Sequence, residues 1–251
     1  MMWRGLLALA ALLSFCGALQ ADTVRVALAA NFAGPMREIA RLFELESGHH
    51  VEMAVSSSGK IYAQISHGAP FDVFLSADQS KPAALVAKGL AVADSQFSYA
   101  LGRLVLWSTN PSLIDNSPTI LRSGNFRMLA IANPLLAPYG EAAVEVLQRL
   151  ACYERLGSKM VKGENIAQTF QFVATGSADL GLVALSQLRD SGLSDVGSQW
   201  LVPAAMHSPI RQDAVLLKAA AEKAAAVALM RFIRSEQIRQ LIVESGYLLA
   251  D

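Results

Sequence analysis

Residues 23–43 read TVRVALAANFAGPMREIARLF and contain one strand, one turn and one helix in succession. Residues 23–30 are β-branched and apolar, which is typical of a buried strand. Asn31 ends this strand, and Pro35 suits the first turn of a helix. Apolar residues then recur with the spacing of one helical face, at Met36, Ile39, Ala40 and Phe43.

The same alternation continues along the chain. Further strands are predicted at 51–55, 72–76, 104–107, 128–132, 180–184 and 214–217. Further helices are predicted at 61–68, 141–150, 166–174 and 219–233. Strands that alternate with helices predict an α/β fold in which mostly parallel sheets are flanked by helices.

The strands at 104–107 and 214–217 lie about a third of the way along the chain and near its end. If both cross between lobes, residues 22–103 and 214–251 form lobe 1, and residues 104–213 are inserted as lobe 2. Ligands of such folds bind at the carboxyl ends of the strands, between the lobes.

The composition limits the kinds of partner. The 251 residues carry 21 basic and 21 acidic side chains and are 53% hydrophobic. A neutral chain has no electrostatic footprint for a polyanion, so no nucleic-acid partner is expected. The high hydrophobicity also excludes a disordered chain.

Residues 1–21 have the pattern of a secretory signal peptide. One positive charge at Arg4 precedes an apolar run that ends near Phe15, and the small residue Ala21 marks the predicted cleavage site. The run is shorter than the roughly 20 residues that span a bilayer. We therefore expect an exported chain with 20 basic and 21 acidic residues and Cys152 as its one cysteine.

No residue pattern indicates catalysis or a resident metal. A single cysteine excludes an intrachain disulfide and a cysteine-based metal site, and Cys152 is expected to be buried in a helix. The Ser57-Ser58-Gly59-Lys60 run lacks the upstream glycine of a phosphate-binding loop, since residue 53 is Met. No cofactor is expected, and an exported α/β hydrolase remains an alternative without an identified catalytic set.

Four strand-to-helix turns have the composition of an anion site: Asn31 with its neighbours, residues 56–58, residues 133–140, and Asn165 with Ile166. Each places free backbone N–H groups at the positive end of a helix dipole. A single Ser or Asn before a helix is most often an N-cap, but four equivalent turns favour binding. Hydrogen bonds to a charged acceptor contribute roughly 1.5–3 kcal/mol each, so about six hold a dianion at micromolar affinity.

Two runs carry a family resemblance, SGKIYAQI at 58–65 and GAPFDVFLSAD at 68–78. They resemble the periplasmic molybdate-binding proteins of ABC transporters. Further matching segments follow in chain order over nearly the whole exported chain: residues 26–31, 133–134, 137–140, 179–183 and 245–247.

The resemblance implies a two-lobed type II periplasmic binding protein fold that closes on a tetrahedral oxyanion, molybdate or tungstate. Matching by position, the hydrogen bonds of lobe 1 come from Asn31 and Ser58, with Ser57 left open as a one-residue alternative. Those of lobe 2 come from Tyr139 and the backbone N–H of Ile166. Ala184 occupies a slot where many members have Tyr, a role that Tyr139 fills here from an earlier loop.

The resemblance also implies a periplasmic protein without enzymatic activity, expected to be a monomer, that docks on an inner-membrane ABC permease. The proton of hydrogen phosphate would remain unpaired in a site built from donors, at a cost of about 1–3 kcal/mol. Sulfate has no such proton, so only cavity size rejects it, and sulfate remains an alternative ligand. A carboxylate receptor would place an arginine at the cleft, and no arginine lies in the four turns; Arg211 is the arginine to check, although it is expected to be a solvated charge at the rim.

Overall fold

The computed structural model describes residues 21–250 and contains two five-stranded sheets. The predicted signal peptide, apart from Ala21, lies outside the described residues. The strands are β1 (Thr23–Ala29), β2 (His50–Ser56), β3 (Val73–Leu75), β4 (Phe97–Gly102), β5 (Leu104–Ser108), β6 (Leu129–Ala132), β7 (Met160–Gly163), β8 (Leu180–Ala184), β9 (Ser198–Leu201) and β10 (Ile210–Leu216). The α-helices are α1 (Ala33–Ser47), α2 (Ser58–Ser66), α3 (Ser80–Ala87), α4 (Thr119–Ser123), α5 (Pro138–Arg149), α6 (Tyr153–Leu156), α7 (Ile166–Ala174), α8 (Leu185–Asp190), α9 (Ala224–Ile233) and α10 (Glu236–Glu244).

The two sheets have the same topology. The first has the order β2-β1-β3-β10-β4 and the second the order β7-β6-β8-β5-β9. In each sheet the first three strands are parallel, and the fourth is antiparallel to both of its neighbours. The predicted α/β class with mostly parallel sheets in two lobes is therefore confirmed.

The antiparallel fourth strand is β10 in the first sheet and β5 in the second. These are the two strands that the sequence predicted to cross between the lobes. The chain passes from the first sheet to the second between Gly102 and Leu104, and it returns between Leu201 and Ile210. The strand predicted at 214–217 begins earlier, at Ile210. The division into residues 22–103 with 214–251 and residues 104–213 stays a prediction.

Each sheet is buried on both faces by helices. In the first lobe, α1, α9 and α10 pack on one face, and α2 and α3 pack on the other. In the second lobe, α5 packs on one face, and α7 with α8 on the other. This double coverage explains why β1, β3, β6 and β8 are near-continuous apolar runs.

Three helices begin elsewhere than predicted. Helix α2 begins at Ser58 rather than at residue 61, because Ser57 caps it. Helix α5 begins at Pro138 rather than at residue 141, because proline at the first helical position loses no intrahelical bond. Tyr139 therefore lies in the first turn of the helix and not in the loop before it. Helix α9 begins at Ala224 rather than at residue 219, after a short 3-10 turn at Lys218–Ala220.

Cys152 is buried as expected, but it lies between two helices rather than inside one. Ala151 has a φ of 54°, which ends the helical path between α5 and α6. Burial raises the pKa of the Cys152 thiol. This thiol therefore behaves as a small apolar group.

Asp72, in the GAPFDVFLSAD run, joins three elements of the first lobe. Its carboxylate accepts hydrogen bonds from the backbone N–H of Arg25 at 2.7 Å and from Lys223 Nζ at 2.8 Å. It thereby ties the start of β3 to β1 and to the residue before α9. The run thus has a structural role in addition to its position near the cleft.

We predict that Asp72→Ala lowers the free energy of unfolding by about 2 kcal/mol, because it leaves the Arg25 N–H without its acceptor and removes the carboxylate paired with the half-buried Lys223 ammonium, which keeps only the Thr23 carbonyl as acceptor. Urea unfolding followed by circular dichroism measures the effect. Asp94→Ala is the matched control, since Asp94 is exposed and its loss is expected to change stability by less than about 0.5 kcal/mol. Equal effects of the two substitutions would contradict the structural role.

Candidate oxyanion-binding site

A small cavity lies between the lobes where four helices begin. The space inside it that the centre of a water molecule can occupy is about 10 Å³. Its lining residues are Ala29, Ala30, Asn31, Ser56, Ser57, Ser58, Ala77, Ala137, Pro138, Tyr139, Asn165 and Ile166. None of these is charged. All four residues proposed from the sequence line this one cavity, and each is at most 3% exposed.

Ser57 and Ser58 begin helix α2 at the end of β2. Ser57 is the N-cap, and its hydroxyl oxygen accepts from the backbone N–H of Lys60 at 3.4 Å. Ser58 Oγ accepts from the backbone N–H of Ala77 at 2.9 Å. Each serine oxygen is thus held by a backbone donor, which leaves its own proton available for an acceptor in the cavity. The backbone N–H of Ser58, at the first helical position, has no intrahelical acceptor.

Ile166 begins helix α7 in the second lobe. The preceding Asn165 is the N-cap, and its side chain accepts from the backbone N–H of Gln168 at 3.0 Å. This cap fixes the first turn, and the Ile166 N–H remains without an intrahelical acceptor. Ile166 contributes a backbone donor, so its apolar side chain does not conflict with a polar ligand.

Tyr139 is the largest polar side chain in the lining. Its hydroxyl lies 3.3 Å from Nε2 of Gln212, which donates to it. Burial raises the pKa of Tyr139 well above its ordinary value, and nearby Tyr247 raises it further by a smaller amount. The phenol is therefore neutral at physiological pH and retains a proton to donate.

Ala184, which occupies the slot where many relatives of the resembled family have Tyr, does not line the cavity, whereas Tyr139 does. It lies at the end of β8, and its backbone N–H donates to Gln187 Oε1 at 3.3 Å. This donor is used within the start of helix α8.

The amide of Asn31 is oriented differently from the expectation. Its Nδ2 donates to Gln212 Oε1 at 2.8 Å and to the Tyr247 hydroxyl at 2.9 Å. Both amide protons are thus used inside the protein. Its Oδ1 is buried and has no hydrogen-bond partner among the described residues.

A polar network behind the cavity was missed by sequence reasoning. It comprises Tyr99, Ser186, Gln212 and Tyr247, all buried. Ser186 Oγ and the Tyr247 hydroxyl both lie within hydrogen-bond distance of the Asn31 backbone oxygen, at 3.0 and 2.7 Å. Tyr247 belongs to the Ser-Gly-Tyr segment at 245–247, the only signal in the sequence that pointed to this network.

Polar contacts join the lobes around the cavity. The backbone N–H of Gly59 donates to the carbonyl of Leu136 at 2.9 Å, and Lys60 pairs with Glu164 beside it. A Cβ on Gly59 would lie 3.0 Å from that carbonyl oxygen, so glycine allows the approach. On another side of the interface, Arg37 pairs with Asp190 at 2.7 Å.

Arg211 lines a different cavity, together with Asp78 and Glu141. An arginine that bound a carboxylate ligand would line the anion cavity, and Arg211 does not. Within residues 21–250 no cluster of His, Cys, Asp and Glu has the arrangement of a metal site. The same residues include no helix with the length and apolarity that a membrane crossing requires.

Comparison with known proteins identifies close relatives over almost the full length. Residues 24–248 match the family described as bacterial extracellular solute-binding protein. The molybdate-binding protein ModA of Azotobacter vinelandii is 47% identical over 97% of this chain and 96% of its own length. ModA of Rhodobacter capsulatus is 45% identical over 97% of this chain and 95% of its own.

The fold agrees with a solved structure of the same kind. The periplasmic molybdate-binding protein of Azotobacter vinelandii superposes with a TM-score of 0.88 and 40% identity, covering 91% of this chain and all of that one. The chain therefore belongs to the bacterial extracellular solute-binding proteins and, within them, to the family of the molybdate-binding protein ModA.

Proposed function

We propose that this chain is the periplasmic molybdate-binding component of an ABC importer. The observation that carries the proposal is an uncharged cavity between two lobes at which four helices begin. The ligand is molybdate or tungstate, and the residues proposed to bind it are Asn31, Ser58, Tyr139 and Ile166. The proposal includes export through the signal peptide at 1–21, a monomeric state and docking on an inner-membrane permease.

Neutral donors are sufficient for such a ligand. Ser58 and Ile166 supply backbone N–H groups at helix starts, and Ser58 and Tyr139 supply hydroxyl protons. Each bond to a charged acceptor contributes roughly 1.5–3 kcal/mol in a site from which water is excluded. The partial positive charge at each helix start, about half a unit, adds to this attraction.

The two alternatives are less well supported. The family consists of substrate-binding transport proteins rather than enzymes, so an exported α/β hydrolase is not favoured. Sulfate is a tetrahedral dianion like molybdate but smaller, and it has no proton that would be left unpaired among the donors. Selectivity between the two therefore depends on the size of the cavity.

Isothermal titration calorimetry on the wild-type protein tests the ligand. We expect molybdate and tungstate to bind with micromolar or tighter affinity, and sulfate to bind at least tenfold more weakly. Absence of molybdate binding, or tighter binding of sulfate, would reject the proposed function.

Tyr139→Phe is expected to weaken molybdate binding tenfold or more, since it removes one donor to a charged ligand and little else. Asn31→Ala is expected to weaken binding as well, because the turn loses its bonds to Gln212 and Tyr247. Calorimetry measures both affinities. Tyr153→Phe, at the start of α6 outside the cavity, is the control for the first change. Unchanged affinity in both site variants would reject these site residues.

Gly102 provides a test of cavity size. A Cβ at this position would lie 2.3 Å from the Tyr139 hydroxyl and 2.7 Å from Gln212 Nε2. Gly102→Ala is therefore expected to displace the phenol and so to narrow the cavity. A narrower cavity reduces the affinity for molybdate, the larger anion, more than the affinity for sulfate. Calorimetry with both anions gives the ratio. Gly157→Ala is the control, because its backbone is helical and no atom lies near the added methyl; an unchanged ratio for Gly102→Ala would contradict the argument.

A further inference from the structure

Gln212 connects the two lobes directly behind the anion cavity. It lies on β10, the strand by which the chain returns to the first sheet, and it is 0% exposed. Its Oε1 accepts from Asn31 Nδ2 at 2.8 Å and lies 3.1 Å from the Tyr99 hydroxyl, whose one proton is shared with the Ser76 carbonyl at 3.1 Å; these residues belong to the first lobe. Its Nε2 faces Tyr139 of the second lobe at 3.3 Å. One buried amide therefore contacts two of the proposed ligand-binding residues.

The direction of each bond in this network follows from one group that can only accept. The backbone carbonyl of Asn31 lies 2.7 Å from the Tyr247 hydroxyl, so Tyr247 donates its proton there. The Tyr247 oxygen then accepts from Asn31 Nδ2 at 2.9 Å. The second proton of that amide group is left to donate to Gln212 Oε1.

This chain of bonds determines which end of the Gln212 amide faces Tyr139. Because Oε1 is required by Asn31, Nε2 must face the phenol and donate to it. The Tyr139 oxygen therefore accepts, and its own proton stays free for a second acceptor. With the amide reversed, Tyr139 would donate to Gln212 instead, and the cavity would lose a donor.

The backbone of β10 is irregular at Gln212. The register between β10 and β4 shifts between Gln212 and Asp213, and both side chains are buried. Asp213 accepts from Ser98 and Gln96 of the first lobe, at 2.6 and 2.7 Å. Bulges of this kind commonly redirect a side chain next to a functional site.

We propose that Gln212 is a positioning residue that directs the hydroxyl proton of Tyr139 towards the bound oxyanion. This inference rests on the proposed function, since it assigns a role within the same site. Gln212 acts through Tyr139 and is not itself assigned a contact with the anion.

A double-substitution cycle tests the direction of the bond. Gln212→Glu, measured at a pH at which titration shows the new carboxyl to be ionised, keeps an acceptor for Asn31 and Tyr99 but replaces the donor to Tyr139 by a second acceptor. The phenol proton then turns away from the cavity. The added negative charge acts on the anion whether or not residue 139 has a hydroxyl, so its effect cancels in the cycle. Molybdate affinity is measured by calorimetry for the wild type, Gln212→Glu, Tyr139→Phe and the double variant.

We expect Gln212→Glu to reduce affinity at least tenfold more in the wild-type background than in the Tyr139→Phe background. Equal reductions in both backgrounds would overturn the proposal, while the wild type would still bind molybdate and the proposed function would stand. Absence of wild-type binding would instead reject the function and this inference with it.

Two further variants separate positioning from a general structural role. If thermal unfolding shows that Gln212→Glu does not fold, Gln212→Met replaces it in the same cycle; because it also removes the acceptor of Asn31, some loss of affinity is expected in both backgrounds, and a larger loss where Tyr139 is present. Tyr99→Phe is the matched control, because it removes a bond to Gln212 while Asn31 still determines the orientation of the amide. Its effect is expected to be additive with Tyr139→Phe, and a coupling as large as that of Gln212 would overturn the proposal.

Discussion

The arrangement of this protein depends on unpaired backbone N–H groups at the starts of helices. The first residues of every helix have amide protons that no intrahelical carbonyl accepts. Ser58 and Ile166, each the first residue of a helix, line a buried cavity whose described lining has no charged side chain. A dianion there is attracted by several partial charges rather than by one counterion. The protein thus avoids burying a lysine or arginine that would be unpaired whenever the cavity has no anion.

Such donors converge only because the two lobes have the same topology. In each sheet the three parallel strands end at the same edge, and the helix after each strand begins there. Facing these edges towards each other brings the starts of α2 and α7 to opposite sides of one cavity. The reversed strands β5 and β10 carry the chain between the sheets, so the segments that link the lobes run beside the site.

The sequence predicted the class of fold because both sheets are buried on both faces, which makes their central strands continuous apolar runs. It missed β4, β7 and β9, which are short or mixed in polarity and so lack that signal. The four proposed site residues lie on one cavity because their turns are topologically equivalent. The orientation of the Asn31 amide could not be predicted, since it depends on Gln212 and Tyr247, 181 and 216 residues further along the chain.

The neutral composition limits how this structure can recognise an anion. A chain with equal numbers of basic and acidic residues has no field to attract an anion from a distance, so recognition depends on contacts made inside the cavity. Contacts of this kind require that hydroxyls and amides point their protons, and not their oxygens, at the ligand. The Tyr139 hydroxyl meets this requirement through the buried network of Asn31, Gln212 and Tyr247, because a backbone carbonyl at one end determines every donor and acceptor up to Tyr139, while the Asn31 amide protons are used within the network. Selectivity in a site without charge is therefore a property of the second layer of residues as much as of the first.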